Sequence, residues 1–556
     1  MKKIISSVRG VVSELFNVAL DPELTRTDEK FGDFATNVAL RIAKEQGKNP
    51  REIAESIASR LRETSQDDIA EVSVAEPGFI NIKIQDTSLI RALERVTDVP
   101  QSYANKVVVA EYGDPNPFKM LHAGHLYTGI VGDAIANLLQ SAGATVHRVN
   151  FGGDVGLHVG KTMWAILKKL KGVHPEKLDA VPVEERSQWL TNAYVAGTAA
   201  YEEDETAKQE IIELNKHVYR LHSQNDHDTA FAHIYWTCRQ WSYDSFDEFY
   251  DRIGVKFEKY YPESEVAELG LATVTAHMKP GMFEDSDGAV VFKGEPYGLH
   301  TRVFINSQGL PTYEAKDVGL IMTKYAEYKF DTSVVITGNE QMQYMAVVLK
   351  AIEQFEPALV AATKHFTHGL VKLQGGEKMS SRKGNVLRAT DVIDAAAEAN
   401  KKNSDGGNED IIIGAVKYAL LKSRLGGDII YDPIESVSIE GNSGPYLQYA
   451  HARARSILGK SSQSAGVITD LDVDERRLAS KLTEYADVVA RATNELMPHH
   501  IGSYLYELAQ TFNRFYENTR VIGDIRESQR LTLIARYAEV LKAGLELLGI
   551  VAPEHM

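Results

Sequence analysis

Cysteine is nearly missing from this 556-residue chain: Cys238 is the only one. A single thiol excludes an internal disulfide and any zinc site built on cysteines, and it fits a reducing compartment. No run of about 18 apolar residues occurs, so no membrane-spanning helix is expected. The opening Met1-Lys2-Lys3-Ile4-Ile5-Ser6-Ser7 leads into charged and polar residues rather than the apolar stretch of a secretory leader. The chain is therefore expected in the cytoplasm, with no membrane partner. Internal repeats and low-complexity tracts are also lacking. Positive charge is scarce: 61 Lys and Arg stand against 77 Asp and Glu, a formal charge of −16. Such a protein repels a polyanion at long range, so a nucleic-acid partner would have to be met by local patches. One patch is plain, since Lys372, Lys378, Arg382, Lys383 and Arg388 are opposed only by Glu377 in that segment, whereas Glu202-Glu203-Asp204-Glu205 concentrates acid elsewhere. With 44% hydrophobic and 25% charged residues, the composition is that of ordinary globular protein, long enough for three or four domains.

Two short segments carry the chemistry. In Pro117-Phe118-Lys119-Met120-Leu121-His122-Ala123-Gly124-His125, two imidazoles flank a glycine. Val107 to Ala110 reads as a buried strand, and Leu126, Ile130, Val131, Ala134, Ile135, Leu138 and Leu139 recur at helical spacing until Gly143. His122 and His125 thus fall at a helix N-terminus, where free N–H groups and the dipole favour anions. The second segment, Lys378-Met379-Ser380-Ser381-Arg382-Lys383-Gly384-Asn385, gathers three cations, two hydroxyls and a glycine, as a loop that binds polyphosphate needs. Gly156 to Thr162 comes one residue short of the GxxxxGK[ST] phosphate loop and is set aside.

In this order the two segments resemble the HIGH and KMSKS signatures of class I aminoacyl-tRNA synthetases. Ser381 stands where many of those enzymes have the loop's second lysine, which leaves open which cation meets which phosphate. Glu111-Tyr112-Gly113-Asp114-Pro115-Asn116, Tyr313-Glu314-Ala315-Lys316-Asp317, Gly338-Asn339-Glu340-Gln341 and the run Gly441 to Arg453 are similar to the arginyl members of that class. Gly153, Asp154 and Gly156 match as well, but His158 replaces a common glutamine. The resemblance covers nearly the whole chain and implies ATP-dependent activation of L-arginine and its transfer to the terminal adenosine of tRNA(Arg), first to the 2′-OH, by what is expected to be a monomer.

By that resemblance His122 and His125 would stabilise the α-phosphate and Lys378 and Lys383 the leaving pyrophosphate. Lys119, Gly124, His125, Gly338, Glu340, Lys378, Ser380 and Ser381 would hold ATP, accompanied by Mg2+ but with no metal ligands from the protein. Glu111, Asn116, His125, Tyr313, Asp317 and Gln341 would hold arginine: Asn116 and Glu111 at its amino-acid end or head group, Tyr313 and Asp317 at the guanidinium, and Gln341 at the α-amino group. The chemistry agrees independently, because a guanidinium is permanently charged and donor-rich and needs carboxylate and amide oxygens. A nucleotidyltransferase with HxGH and no RNA role, and a tRNA-binding paralogue without catalysis, are the rival readings; the long helical C-terminal region argues against the first and the intact site residues against the second.

The expected architecture is an α/β, Rossmann-type parallel-sheet catalytic domain with an α+β domain before it and an all-α bundle after it. Residues 1–103 form the N-terminal unit, with helices at Phe34 to Ala43 and Pro50 to Leu61, the second capped by Asn49, and strands from Val72 to Ile84 around Pro77-Gly78. Residues 104–390 form the catalytic domain, interrupted by a charged helical insertion over about 168–257. Residues 391–556 read as all helix from Ile411, with amphipathic segments near Glu475 to Leu496, Ile501 to Thr519 and Gln529 to Leu548. The resemblance makes the first unit a binder of the tRNA elbow through Phe79 and Asn81, and the last an anticodon-binding domain. There Tyr446, Tyr449, Arg453, Asn513, Arg514 and Tyr516 offer the aromatics, amides and cations that unstacked RNA bases require.

Overall fold

Hydrophobic periodicity and turn chemistry divide the chain into units with their own cores. The computed structural model describes residues 2–374, 387–401 and 408–556. In the first unit, helices Lys2–Phe16, Val38–Gln46 and Pro50–Thr64 cover a four-stranded antiparallel sheet in the order Thr25–Arg26, Phe34–Thr36, Phe79–Ile84, Ile69–Ala75. Asn49 caps the third helix as expected, its side-chain oxygen accepting the Arg51 N–H at 2.9 Å. The helix expected from Phe34 is corrected: Phe34, Ala35 and Thr36 pair with Ile82, Asn81 and Ile80. The Thr36 hydroxyl then accepts the Val38 N–H at 3.2 Å, and the helix begins there. Two buried apolar residues and a buried threonine in a row do not tell strand from helix.

The catalytic domain is built on a five-stranded parallel sheet in the order Thr363–His368, Thr332–Gly338, Val107–Glu111, Thr145–Gly152, Lys259–Pro262. Strand order reverses between Val107–Glu111 and Thr332–Gly338, and the carboxyl ends of those two strands open the crevice where open α/β sheets take their ligands. Between Gly152 and Lys259 the chain makes helices Leu157–Leu170, Arg186–Glu203, Glu205–Ser223 and Ala230–Arg252, which close on a separate core around Met163, Ile166, Val218, Ile234 and the buried Cys238. A three-stranded antiparallel sheet, Phe283–Ser286, Ala289–Phe292 and Arg302–Ile305, precedes helix Tyr313–Tyr328.

Beyond residue 408 the structure is helical with one exception, which corrects the all-helix expectation. Ile429–Tyr431 is a short strand parallel to Val371–Leu373, with Ile429 and Tyr431 turned inward. The segment expected from Glu475 to Leu496 also divides, into helices Val473–Leu482 and Tyr485–Glu495. The break at Thr483 lies where the N-terminal unit docks, since Arg26 donates to the Thr483 carbonyl at 3.0 Å. Helices Gly444–Lys460, His499–Asn518 and Glu527–Leu547 complete the bundle.

A buried ion pair joins the two ends of the fold. Arg476 donates to both oxygens of Asp33 at 3.1 and 2.8 Å and to Asp86 at 2.8 Å. The side chains of Arg476 and Asp33 are only 16% and 4% exposed. Removing one partner of such a pair strands the other, at a cost of about 3 kcal/mol. Arg476→Met is therefore expected to loosen the N-terminal unit without unfolding the catalytic domain, read as faster protease cleavage near residues 86–105 with unchanged arginine KM in adenylation; unchanged cleavage would show that the joint contributes nothing.

Candidate active site

The histidine turn directs N–H donors from a helix N-terminus, a geometry that suits an anion. Helix Ala123–Ser141 starts at His122, whose Nδ1 accepts the Gly124 N–H at 3.1 Å, while His125 Nδ1 accepts the His122 N–H at 3.1 Å. With both Nδ1 atoms taken by backbone donors, each ring carries its proton on Nε2 and presents an N–H outward. The rings stack with centroids 3.8 Å apart. Burial, with Lys119 and His368 nearby, pushes His122 down to about 4, and burial with His122 and Lys119 beside it holds His125 well below the usual histidine range. Both are therefore neutral donors at physiological pH rather than cations. Gly124 is required by this packing, because a Cβ there would meet the His122 ring at 2.8 Å. Lys119 lies 4.7 Å from the Tyr194 ring, and burial pushes its ammonium down to about 8.

On the other side of the crevice three acids gather around one cation. Glu111, at the end of its strand and 2% exposed, accepts from the buried Lys324, which also donates to Ser333. Asp317 is 6% exposed and accepts from the Tyr344 hydroxyl. Its carboxyl is pushed up to about 8 by desolvation, with Glu111 and Glu263 adding to the rise. Asp114 accepts the Phe151 N–H at 2.9 Å, and burial with Glu111 nearby raises it well above the carboxylate range. The nearby Lys316 is already committed to Glu263 at 2.6 Å. Lys324 balances Glu111, so burial keeps Asp114 and Asp317 protonated in the free protein, and a fixed cation bound beside them would favour ionisation of Asp317.

The remaining residues take distinct places. Asn116 Oδ1 accepts the Gly153 N–H at 2.7 Å, which turns the amide N–H groups away and makes Asn116 a donor. Tyr313, in the first turn of its helix, is 51% exposed on the cleft side of Lys316, whose ammonium lies 5.1 Å from the ring. Tyr313 and Asp317 lie four residues apart in one helix, and it is Tyr344, from another helix, that reaches the carboxylate. Glu340 and Gln341 are exposed beyond Gly338, and the Glu340 carboxylate folds back over Gly338, where a side chain would have to push it aside. Lys378, Ser380, Ser381 and Lys383 lie outside the described residues. The chain re-enters at Leu387, whose carbonyl accepts the Ala123 N–H at 2.8 Å, and His122 bridges to Arg388.

The expected RNA-facing residues are unevenly placed. Phe79 is 39% exposed, whereas Asn81 is 8% exposed and held in the sheet between Ala35 and Ser73. In the bundle, Tyr446 Oη accepts from Asn513 at 2.8 Å, and Arg453 lies 4.4 Å from the Tyr516 ring. Tyr449 and Arg514 are exposed on the same two helices. Three residues at the site were missed in the sequence: Lys324, Tyr344 and Asp114. A lysine buried in a helix that already holds Asp317 was the available signal for the first; Tyr344 gave none, being 27 residues from its partner.

The family profile described as tRNA synthetases class I (R), catalytic domain, matches residues 88–432, which span the parallel sheet and the histidine turn. Sheet, crevice and turn together define a class I aminoacyl-tRNA synthetase. The profiles of the arginyl-tRNA synthetase N-terminal domain and the DALR anticodon-binding domain match residues 2–84 and 447–556. The chain belongs to the arginyl-tRNA synthetase family. It is 28% identical over 595 residues to an arginine–tRNA ligase of Bacteroides fragilis, covering 100% of this chain and 99% of the relative. The arginyl-tRNA synthetase of Thermus thermophilus superposes with a TM-score of 0.81 at 25% identity, covering 100% of both chains. That of Plasmodium falciparum, at 23% identity and a TM-score of 0.81, covers 100% of this chain and 99% of its own and shares the fold.

Proposed function

We propose that the chain carries out arginine–tRNA ligation in two steps through the residues described above. In the first, a carboxylate oxygen of arginine attacks the α-phosphorus of ATP, the bond to the bridging oxygen of the β-phosphate breaks, and pyrophosphate leaves. In the second, the 2′-OH of the terminal adenosine of tRNA(Arg) attacks the acyl carbon and AMP leaves. No enzyme nucleophile takes part; the protein positions the reactants and meets developing charge. His122 and His125 donate their Nε2–H groups to α-phosphate oxygens from the helix N-terminus. Lys119, Lys378, Ser380, Ser381 and Lys383 face the rest of the triphosphate, Gly124 lies against the nucleotide, and Gly338 and Glu340 lie at the ribose. Mg2+ comes with the nucleotide, bound mainly by phosphate oxygens as that ion prefers.

The acid cluster carries the choice of amino acid. Three carboxyls around one lysine suit a guanidinium, which cannot shed its charge and presents five N–H donors. Asp317 is the principal anchor, supported by Glu111 and Tyr313. Asn116, a donor, serves the substrate carboxylate, and Gln341 the α-amino group. Phe79 and Asn81 belong to the elbow-binding unit, and Tyr446, Tyr449, Arg453, Asn513, Arg514 and Tyr516 to the anticodon-binding surface. The enzyme is read as a monomer, and none of the described helices is long and apolar enough to cross a membrane.

Pyrophosphate exchange with each proteinogenic amino acid, with and without total tRNA, tests the reading. Arginine alone is expected to support exchange, and only with tRNA present, because RNA bound beyond the signature loop can bias its closed form by about 1 to 3 kcal/mol. Comparable exchange with lysine would overturn the specificity; full exchange without RNA would overturn only the coupling.

A further inference from the structure

One buried polar side chain beside the crevice has no part in the chemistry above. His158, in the first turn of helix Leu157–Leu170, is 7% exposed. Its Nε2 lies 2.7 Å from the Gly153 carbonyl, which can only accept, so the ring carries its proton on Nε2 and leaves Nδ1 bare. Among the described residues that Nδ1 has no hydrogen-bond partner. It faces the space beside Gly156, where a Cβ would lie 3.6 Å from Nδ1 and 3.8 Å from the Lys316 ammonium. Lys119, Lys316 and Lys161 act on this ring, and together with burial they hold it neutral. A buried acceptor without a partner costs stability, so the position is occupied for what the other nitrogen does.

The other nitrogen acts on a loop that reaches the arginine pocket. Gly153, whose carbonyl His158 holds, donates its own N–H to Asn116 Oδ1 at 2.7 Å. The fit is tight, since a Cβ at 153 would meet Asn116 Oδ1 and Glu263 Oε1, each at 2.8 Å. The next residue, Asp154, is pinned by Arg239 at 3.0 Å and by the Ser264 N–H at 2.9 Å. The carbonyl and the N–H of Gly153 belong to successive peptide units that meet at a Cα with no side chain to restrict its rotation, so His158 holds one side of that joint and Asn116 the other. Without the His158 bond the backbone at Gly153 is free to turn about its Cα, and the Asn116 amide can lose the bond that aims its N–H groups at the substrate carboxylate.

We infer that His158 is a positioning residue of the arginine pocket: by fixing the backbone at Gly153 it sets the direction in which Asn116 presents its donors. This rests on the proposed role of Asn116. His158→Leu is expected to raise the arginine KM in pyrophosphate exchange about tenfold, the size of one buried hydrogen bond, while the ATP KM stays within about twofold. His158→Gln, which keeps a donor for the Gly153 carbonyl, is expected to restore the arginine KM. In an Asn116→Ala background His158→Leu is expected to add nothing, because the group it aims is gone. Should His158→Leu fail to fold, His158→Met takes its place. Equal effects of the His158 variant in both backgrounds, or failure of His158→Gln to rescue, would overturn the inference. An Asn116→Ala enzyme with unchanged arginine KM would instead overturn the reading of Asn116.

Discussion

His125→Ala is expected to slow adenylate formation about 10²- to 10³-fold while the fold survives. Loss of one preorganised donor aimed at developing oxyanion charge has effects of that order, and the His125 ring presents such a donor because its Nδ1 is held by the His122 N–H. The structural cost is smaller. The variant loses one capping hydrogen bond, about 1 kcal/mol, from a helix whose Leu126, Ile130, Ala134, Ile135 and Leu138 remain locked in the main core. His122 keeps its own bond to the Gly124 N–H. Single-turnover adenylate formation measured beside a thermal melt separates the two effects. A wild-type rate would remove His125 from the reaction.

Asp317→Asn carries the second large effect. Truncating one partner of a buried charge pair costs about 2 to 5 kcal/mol, so kcat/KM for arginine should fall about 10²- to 10³-fold. The wild-type pocket, whose acids would stay unpaired with a neutral analogue, should prefer arginine over citrulline by about 10⁴-fold. The pH dependence gives an independent check. In the free protein the Asp317 carboxyl is pushed up to about 8, so below that pH it holds a proton that guanidinium binding must expel. Arginine affinity is thus expected to rise with pH, by up to tenfold per unit, and to level off above about 8. The Asn variant should lose this slope. The same upward shift works against folding: stability contributed by the protonated group is full below the unfolded value near 3.8 and is lost as pH rises toward 8. A wild-type arginine KM that does not change between pH 6 and 8 would show that Asp317 is not the anchor.

What could be read in the sequence was what neighbouring residues decide. The strand–turn–helix around His122 and His125 was legible because its apolar spacing and its cap lie within a few residues, and Asn49 announced its helix for the same reason. Phe34 to Thr36 was not, since only pairing with Ile80 to Ile82 makes it a strand. Ile429 to Tyr431 needed a partner at Val371 to Leu373. The pocket divides along the same line. Asp317 and Glu111 could be named from their motifs, but the sequence could not say which of them is already engaged. Lys324 reaches Glu111 across 213 residues of chain, and that pairing leaves Asp317, like Asp114, with no ammonium partner among the described residues. His158 likewise stood out in the sequence only as an exchanged residue; its meaning lies in a bare ring nitrogen and a carbonyl.

The joint between Arg476 and Asp33 also sets a timetable. The two residues are 443 positions apart, so a ribosome adding about 5 to 20 residues per second makes the arginine roughly 20 to 90 seconds after the aspartate. The N-terminal unit closes on a core of its own, from Ile4 and Val8 to Ile80 and Ile82, and can be complete long before its docking face exists. Until then Asp33 has the Ile84 N–H at 2.8 Å but no cation, and the unit rides on the growing chain as a finished piece without an address. Assembly of this enzyme therefore ends by bringing its earliest-made part onto a helix made after the entire catalytic domain, and the placing of the N-terminal unit against the C-terminal bundle is fixed only at that moment.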